Sequence, residues 1–219
     1  MQAVTKPELI SFGNWTFRLH ASQSESPRLL VLLHGFTGDE NSMWVFTRRF
    51  PSNYWMMAPR APHAADPGGF SWRPLQAAAF GRPSLEALLP AAEGLIQLID
   101  EYSASVKLDA QQFDLIGFSQ GAAMVNVLAM LHPHRIRKMG VLAGFVPAGL
   151  EELIQQKPLT GKNVFVAHGT QDQMIPIDRA RASMALLEQA GVQVTYCEDE
   201  VGHKLSANCL RALETYLKD

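Results

Sequence analysis

Phe113-Asp114-Leu115-Ile116-Gly117-Phe118-Ser119-Gln120-Gly121-Ala122 is the stretch on which the fold turns. Phe113 to Ile116 is a β-prone run and Ala122 to Leu131 has a helical pattern, so a strand enters a helix through Gly117-Phe118-Ser119-Gln120-Gly121. So sharp a turn strains its central residue and brings flanking chain close, which explains a residue without Cβ two positions before and two after Ser119. The serine hydroxyl then stands above the sheet at a helix N-terminus, where the dipole favours negative charge. The plainer alternative is a serine that happens to sit near a helix start.

On either side, β-prone runs alternate with helical patterns. The strand candidates are Trp15 to Leu19, Arg28 to Leu33, Tyr54 to Ala58, Phe113 to Gly117, Met139 to Ala143, Val164 to Ala167 and Val192 to Cys197. Several are apolar throughout, as expected of parallel strands covered on both faces, whereas the first alternates and is placed at an antiparallel edge. Leu88, Ala91, Ala92, Leu95, Leu98, Ile99 and Tyr102 predict a helix over 85–104, with Pro90 either kinking it or marking its first turn. Met184 and Leu187 mark a helix entered through Pro176-Ile177-Asp178 and closed by Gly191; Leu210, Leu213 and Leu217 mark the last, with Ser206 as its N-cap. Unbroken alternation predicts an α/β fold, a single domain over residues 1–219 with a mostly parallel, twisted sheet of about seven strands and helices on both faces. Residues 59–82 hold four prolines and no periodicity, so this long loop should be functional, closing on a ligand or staying mobile.

The turn around Ser119 gains meaning if a base and an acid can join it. A serine hydroxyl is a poor nucleophile until a base takes its proton, and that base needs a carboxylate to orient it. On sheets of this topology the chain order is Ser, then Asp or Glu, then His. Val164 to Asp172 is an apolar strand leading into a turn, which leaves Asp172 past a strand's carboxyl end, and Val201-Gly202-His203 lies between the last strand and the last helix. Carboxyl ends of strands in open parallel sheets are where ligands bind, so Ser119, Asp172 and His203 can converge. The rival carboxylates are Asp178, which reads as an N-cap, and Asp199 with Glu200, which read as a solvated turn. His168 reads as structural, His132 and His134 as a surface turn around Pro133, His20 as inert, and His63 as a loop residue that could touch a substrate.

Leu33-His34-Gly35-Phe36-Thr37-Gly38-Asp39 leaves an early strand through a glycine-rich turn. An oxyanion hole needs two backbone N–H groups aimed at one point; Gln120, after the serine, supplies one, and Phe36 is the candidate for the other. A plain turn would explain the glycines alone. Phe70, Trp72, Met174 and Ile175 are candidates for an apolar substrate pocket or, equally, for ordinary core.

Composition narrows the partners. The 19 Lys and Arg against 21 Asp and Glu leave a net charge of −2, with no basic stripe to attract nucleic acid or an anionic membrane. With 47% hydrophobic and 18% charged residues, the chain can bury a substantial core. Neither a signal-like start nor a membrane-length apolar run is found, so the cytoplasm is the expected compartment, and Cys197 and Cys209 are expected as structural thiols. No H-E-x-x-H, paired C-x-x-C or P-loop spacing occurs, so neither metal nor cofactor is expected. The oligomeric state stays open, a homodimer included.

Taken as a set, Leu33-His34-Gly35-Phe36-Thr37-Gly38-Asp39, Gly117-Phe118-Ser119-Gln120-Gly121, His168-Gly169-Thr170-Gln171-Asp172 with Ile175-Pro176, and Gly202-His203 resemble the phospholipase/carboxylesterase family. That family includes the acyl-protein thioesterases and lies within the α/β-hydrolase superfamily. The resemblance runs from about residue 28 to the end. It implies a three-layer α/β-hydrolase fold without a large cap, a triad of Ser119, Asp172 and His203, and oxyanion donors at Phe36 and Gln120. It further implies cleavage of small ester, or thioester, substrates through an acyl-enzyme. Acyl-protein thioesterases differ where this chain has Asp66 to Pro74, so protein depalmitoylation does not carry over; dienelactone hydrolases carry cysteine where this chain has Ser119. Amide hydrolysis by the same residues and a non-catalytic binding role are the alternatives.

Overall fold

A computed structural model describes residues 7–74 and 83–218. Ten strands form in chain order: β1 (Glu8–Phe12), β2 (Trp15–His20), β3 (Arg28–Leu33), β4 (Tyr54–Pro59), β5 (His63–Ala64), β6 (Phe70–Ser71), β7 (Phe113–Phe118), β8 (Ile136–Leu142), β9 (Asn163–Gly169) and β10 (Gln193–Asp199). The helices are α1 (Leu85–Val106), α2 (Gln120–Leu131), α3 (Glu151–Gln155), α4 (Ile177–Gln189) and α5 (Ala207–Lys218), with 3-10 turns at Ser42–Arg49 and Pro133–Arg135. Eight strands make one sheet in the order β1-β2-β4-β3-β7-β8-β9-β10. From β4 to β10 every pairing is parallel; β1 with β2 and β2 with β4 are antiparallel.

The apolar run of β3 shows why the sheet is covered twice. Leu29, Val31 and Leu33 point into one core with α1, α2, α3 and α4, while Leu30 and Leu32 point into a second core with Met43 and with Cys209, Leu213 and Leu217 of α5. Three layers result, and only the short helix α3 lies between β8 and β9. Beneath them, Asp114 of β7 is fully buried and ties three strands together. It accepts hydrogen bonds from the Tyr54 hydroxyl of β4 (2.5 Å), the Arg137 guanidinium of β8 (2.7 and 2.9 Å) and the Lys138 backbone N–H (3.1 Å).

Several expectations are corrected. Trp15 to Leu19 is antiparallel but is not the edge: β1 pairs outside it through a hairpin whose loop is Gly13-Asn14, with Gly13 at φ 55°. The half-exposed β1 lacks the apolar run that marks the buried strands. Helix α1 begins at Leu85, capped by the Ser84 side chain, and Pro90 sits inside it on the solvent side. There the carbonyl that loses its partner can bond water. Pro176, not Asp178, holds the N-cap position of α4; Asp178 lies in the first turn. Ser206 does cap α5, its hydroxyl accepting from Cys209 N–H at 3.1 Å. Within the 59–82 loop, β5 and β6 pair as an antiparallel ribbon, and residues 75–82 lie outside those described. Cys197 and Cys209 are not free thiols but a disulfide, Cα–Cα 5.6 Å. Helix α5 folds back along β10 and brings the second cysteine beside the first, a proximity that a separation of 12 residues does not reveal.

Burial and the charge of Asp114 push the Tyr54 phenol well above its ordinary 10.0. The folded state then keeps a proton that the unfolded chain loses, so this contribution is complete below about pH 10 and fades above it. Urea midpoints should therefore hold from about pH 8 to 9.5 and fall above about pH 10. Tyr54→Phe should start about 1 kcal/mol less stable at pH 8 and fall less steeply. Equal slopes in parent and variant would contradict this.

Candidate active site

The turn after β7 has the strain that its sequence requires. Ser119 adopts φ 55°, ψ −115°, while its N–H bonds the Leu142 carbonyl at 2.9 Å and its carbonyl accepts the first bonds of α2. The flanking glycines are sterically required. A Cβ on Gly117 would lie 2.2 Å from the Gly121 carbonyl oxygen, and one on Gly121 would lie 2.1 Å from that of Leu33. The start of α2 thus rests against the end of β3, with Gln120 N–H first among the unpaired donors of the helix. Across from it lies the His34 to Gly38 turn, whose Phe36 N–H pairs with no backbone acceptor among the described residues.

That turn is built around the fully buried His34. Ala61 N–H donates to its Nε2 at 3.0 Å, so the ring proton is on Nδ1, which donates to the Gly35 carbonyl at 2.7 Å. Burial holds this imidazole below its ordinary pKa and keeps it neutral. Trp72 Nε1 donates to the His34 carbonyl (2.8 Å), and the ribbon strand β6 clamps the same turn through Thr37 N–H to Phe70 O (3.0 Å) and Phe70 N–H to Gly38 O (2.9 Å). The Gln120 side chain closes the frame by accepting Trp72 N–H at 2.9 Å. Arg60 crosses the Phe70 ring and pairs with Glu40, whose carboxyl it holds below the usual range by hydrogen bonding.

Asp172 and His203 meet at the carboxyl ends of β9 and β10. His203 Nδ1 lies 2.7 Å from Asp172 Oδ2, and the other carboxylate oxygen accepts Met174 and Ile175 N–H, each at 2.9 Å. The two loops are joined by their backbones, Thr170 N–H to Asp199 O (2.9 Å) and Gln171 N–H to Val201 O (3.1 Å). A Cβ on Gly169 would lie 2.2 Å from the Val201 carbonyl oxygen, so this approach also needs glycine. The Phe118 ring packs 5.0 Å from that of His203, which sets the histidine beside the residue preceding Ser119. Of the rival carboxylates, Asp199 binds Glu200 N–H and the Asn208 amide, while Asp178 and Glu200 are exposed. A histidine held by a buried carboxylate and packed beside the turn of a strained serine is an arrangement suited to nucleophilic chemistry.

A profile of the phospholipase/carboxylesterase family matches residues 15–219. The chain belongs to that family. Among its curated relatives, carboxylesterase SOBER1 of Arabidopsis thaliana is 28% identical over 135 residues, covering 60% of this chain and 58% of that protein. A probable inactive carboxylesterase of Oryza sativa subsp. japonica is 27% identical over 84% of this chain and 81% of its own. The chain thus spans under two thirds of the SOBER1 length. Among solved structures, the Bacillus cereus carboxylesterase superposes with TM-score 0.80 (24% identity; 91% of this chain, 92% of that one). A Mesorhizobium loti carboxylesterase gives 0.81 (21%; 97% and 98%). At these identities the superpositions speak for the fold: this family member is built as an α/β hydrolase.

Within this fold the four pocket candidates fall in different places. Trp72 and Ile175 are buried in the core and serve the site through hydrogen bonds, Phe70 clamps the His34 turn, and Met174 is 70% exposed. None lines the cavity of about 260 Å³ that opens beside Phe36, which is walled by Phe36, Met43, Phe46 and Phe118. Nearness in sequence to the acid or the long loop carries no information about which way a side chain faces. Met43 and Phe46, which do line the cavity, come from the apolar run Met43-Trp44-Val45-Phe46. His34 and the Gln120 amide were likewise missed as framework groups, since only their backbones were considered. Among the described residues no three His, Cys, Asp or Glu side chains are grouped to hold a metal ion, and no helix is long and apolar enough to cross a membrane.

Gly121→Ala should destabilise the protein by roughly 3 kcal/mol or more, some 6–12 °C in melting temperature, because backbone has nowhere to move. Gly68→Ala, with nothing within 4 Å of the added Cβ, should melt like the parent. Similar melting temperatures for the two variants would show that the close approach at Gly121 is not a constraint.

Proposed function

We propose that the protein hydrolyses carboxylic esters, and thioesters by the same route, through a covalent acyl-enzyme on Ser119. The observation that carries this is the 2.7 Å pairing of His203 with buried Asp172 beside the strained Ser119 turn. In this mechanism His203 Nε2 takes the Ser119 proton as Oγ attacks the carbonyl carbon, and Asp172 fixes the tautomer and stabilises the imidazolium. Phe36 and Gln120 N–H receive the oxyanion, each contributing about 3 kcal/mol to the barrier reduction. His203 then protonates the leaving oxygen or sulfur, and water repeats the sequence to free the acid.

The leaving group must lie on the His203 side of the carbonyl. Phe118 touches the His203 ring and, with Phe46, walls the cavity, so we assign that cavity to the leaving group. At the ~30 Å³ occupied by one water, 260 Å³ admits about eight heavy atoms, which suits a small alcohol or phenol rather than a long chain. One observation favours a second reading: the rice relative that matches over most of its length is described as probably inactive. Retention here of Ser119, Asp172 and His203 in order supports catalysis over a binding role. Amide cleavage would use the same residues. The Cys197–Cys209 disulfide requires surroundings oxidising enough to keep it closed.

Fluorophosphonate should label the parent but not Ser119→Ala, and turnover of p-nitrophenyl acetate should drop about 10⁴-fold or more in that variant. Equal labelling of the two would refute the assignment. In a series of acetate esters, kcat/KM should decline once the alcohol exceeds about eight heavy atoms, and Phe46→Ala should move that limit outward by two or three. A variant that shifts acyl-length preference instead would place the acyl group in the cavity.

A further inference from the structure

His168, on β9 four residues before Asp172, is a buried histidine with no part in the proton transfers above; its side chain is 0% exposed. Its Nε2 lies 2.8 Å from the Ile175 carbonyl and 3.4 Å from Asp172 Oδ2. A carbonyl only accepts, so Nε2 carries a proton and donates it. Among the described residues that buried Nδ1 has no partner. An orphaned buried ring nitrogen is destabilising, and an apolar side chain would avoid the penalty, so a role confined to filling the core does not explain a histidine here.

We propose that His168 is the positioning residue of the Asp172 carboxylate. Asp172 Oδ1 is fixed by Met174 and Ile175 N–H, which closes the 172–175 turn from inside. The His168 N–H grips the same turn at the Ile175 carbonyl and presents its positive end to Oδ2, the oxygen that meets His203. One ring N–H thereby fixes both the turn and the carboxylate rotamer. The opposing titratable group is Glu198, which pairs in register with His168 on β10 and is exposed. This inference rests on the proposed roles of Asp172 and His203.

Glutamine and asparagine test it, because the Gln amide N–H falls near the imidazole Nε2 position and the Asn N–H near Nδ1. His168→Gln should keep kcat on p-nitrophenyl acetate within about threefold of the parent, whereas His168→Asn should lose about tenfold or more in kcat with KM little changed. The strongly downfield proton resonance of the His203–Asp172 hydrogen bond should persist in the Gln variant and broaden or move upfield in the Asn variant. Equal kcat and an unchanged resonance in both variants would overturn the proposal, as would equal losses that follow melting temperature alone. If the parent neither turns over ester nor labels at Ser119, the esterase reading fails; the resonance in the two variants still decides the role of His168.

Discussion

The site depends on one steric allowance: the start of α2 rests directly on the end of β3, with Gly121 facing the Leu33 carbonyl where a Cβ would stand only 2.1 Å away. With that contact made, Ser119 must turn through a left-handed conformation, close against Gly35 of the loop that leaves β3. Gly117 removes the matching obstruction on the strand side, and Gly169 does the same where the His203 loop crosses β9. Three backbone approaches thus bring together residues far apart in the chain. The parallel sheet supplies the coarse alignment, since all the loops concerned leave its carboxyl edge.

Loops held so closely leave backbone groups that no strand or helix can satisfy, and buried side chains take over that work. His34 bonds Ala61 and Gly35, Trp72 bonds the His34 carbonyl, the Gln120 amide bonds Trp72, and Asp172 bonds the amides of its own turn. These residues are polar because the loop backbone needs partners there. Their chemistry toward a substrate follows from what they leave unpaired.

Most of this framework was legible in the sequence because steric necessity leaves glycines at fixed positions. Gly117 and Gly121 around Ser119, and Gly35 and Gly38 in the early loop, mark where chains must approach closely. Strand β3 was equally plain, since burial on both faces demands five consecutive aliphatic residues. What escaped detection lacked such a demand. Strand β1 is half exposed and needs no apolar run, and the Ser42–Arg49 turn sets its buried Met43 beside Trp44, Val45 and Phe46 in a run too short to show a period. The cysteines were misjudged because compartment was inferred from the N-terminal residues, whereas pairing depends on how α5 folds back on β10. Sequence adjacency to Asp172 likewise does not distinguish buried Ile175 from exposed Met174.

The disulfide gives the two halves of the site unequal stiffness. Cys197 closes the end of β10 onto the first turn of α5, so residues 198–208, His203 among them, form a covalent ring. The loop opposite, from His34 to Phe46, is held without a covalent link, by side-chain and ribbon hydrogen bonds, the Arg60–Glu40 ion pair and the burial of Met43. A molecule so divided can vary on one side while holding register on the other. Substitutions along the non-covalent half can reshape the cavity beside Phe36, generation by generation, without moving the histidine that lies inside the ring.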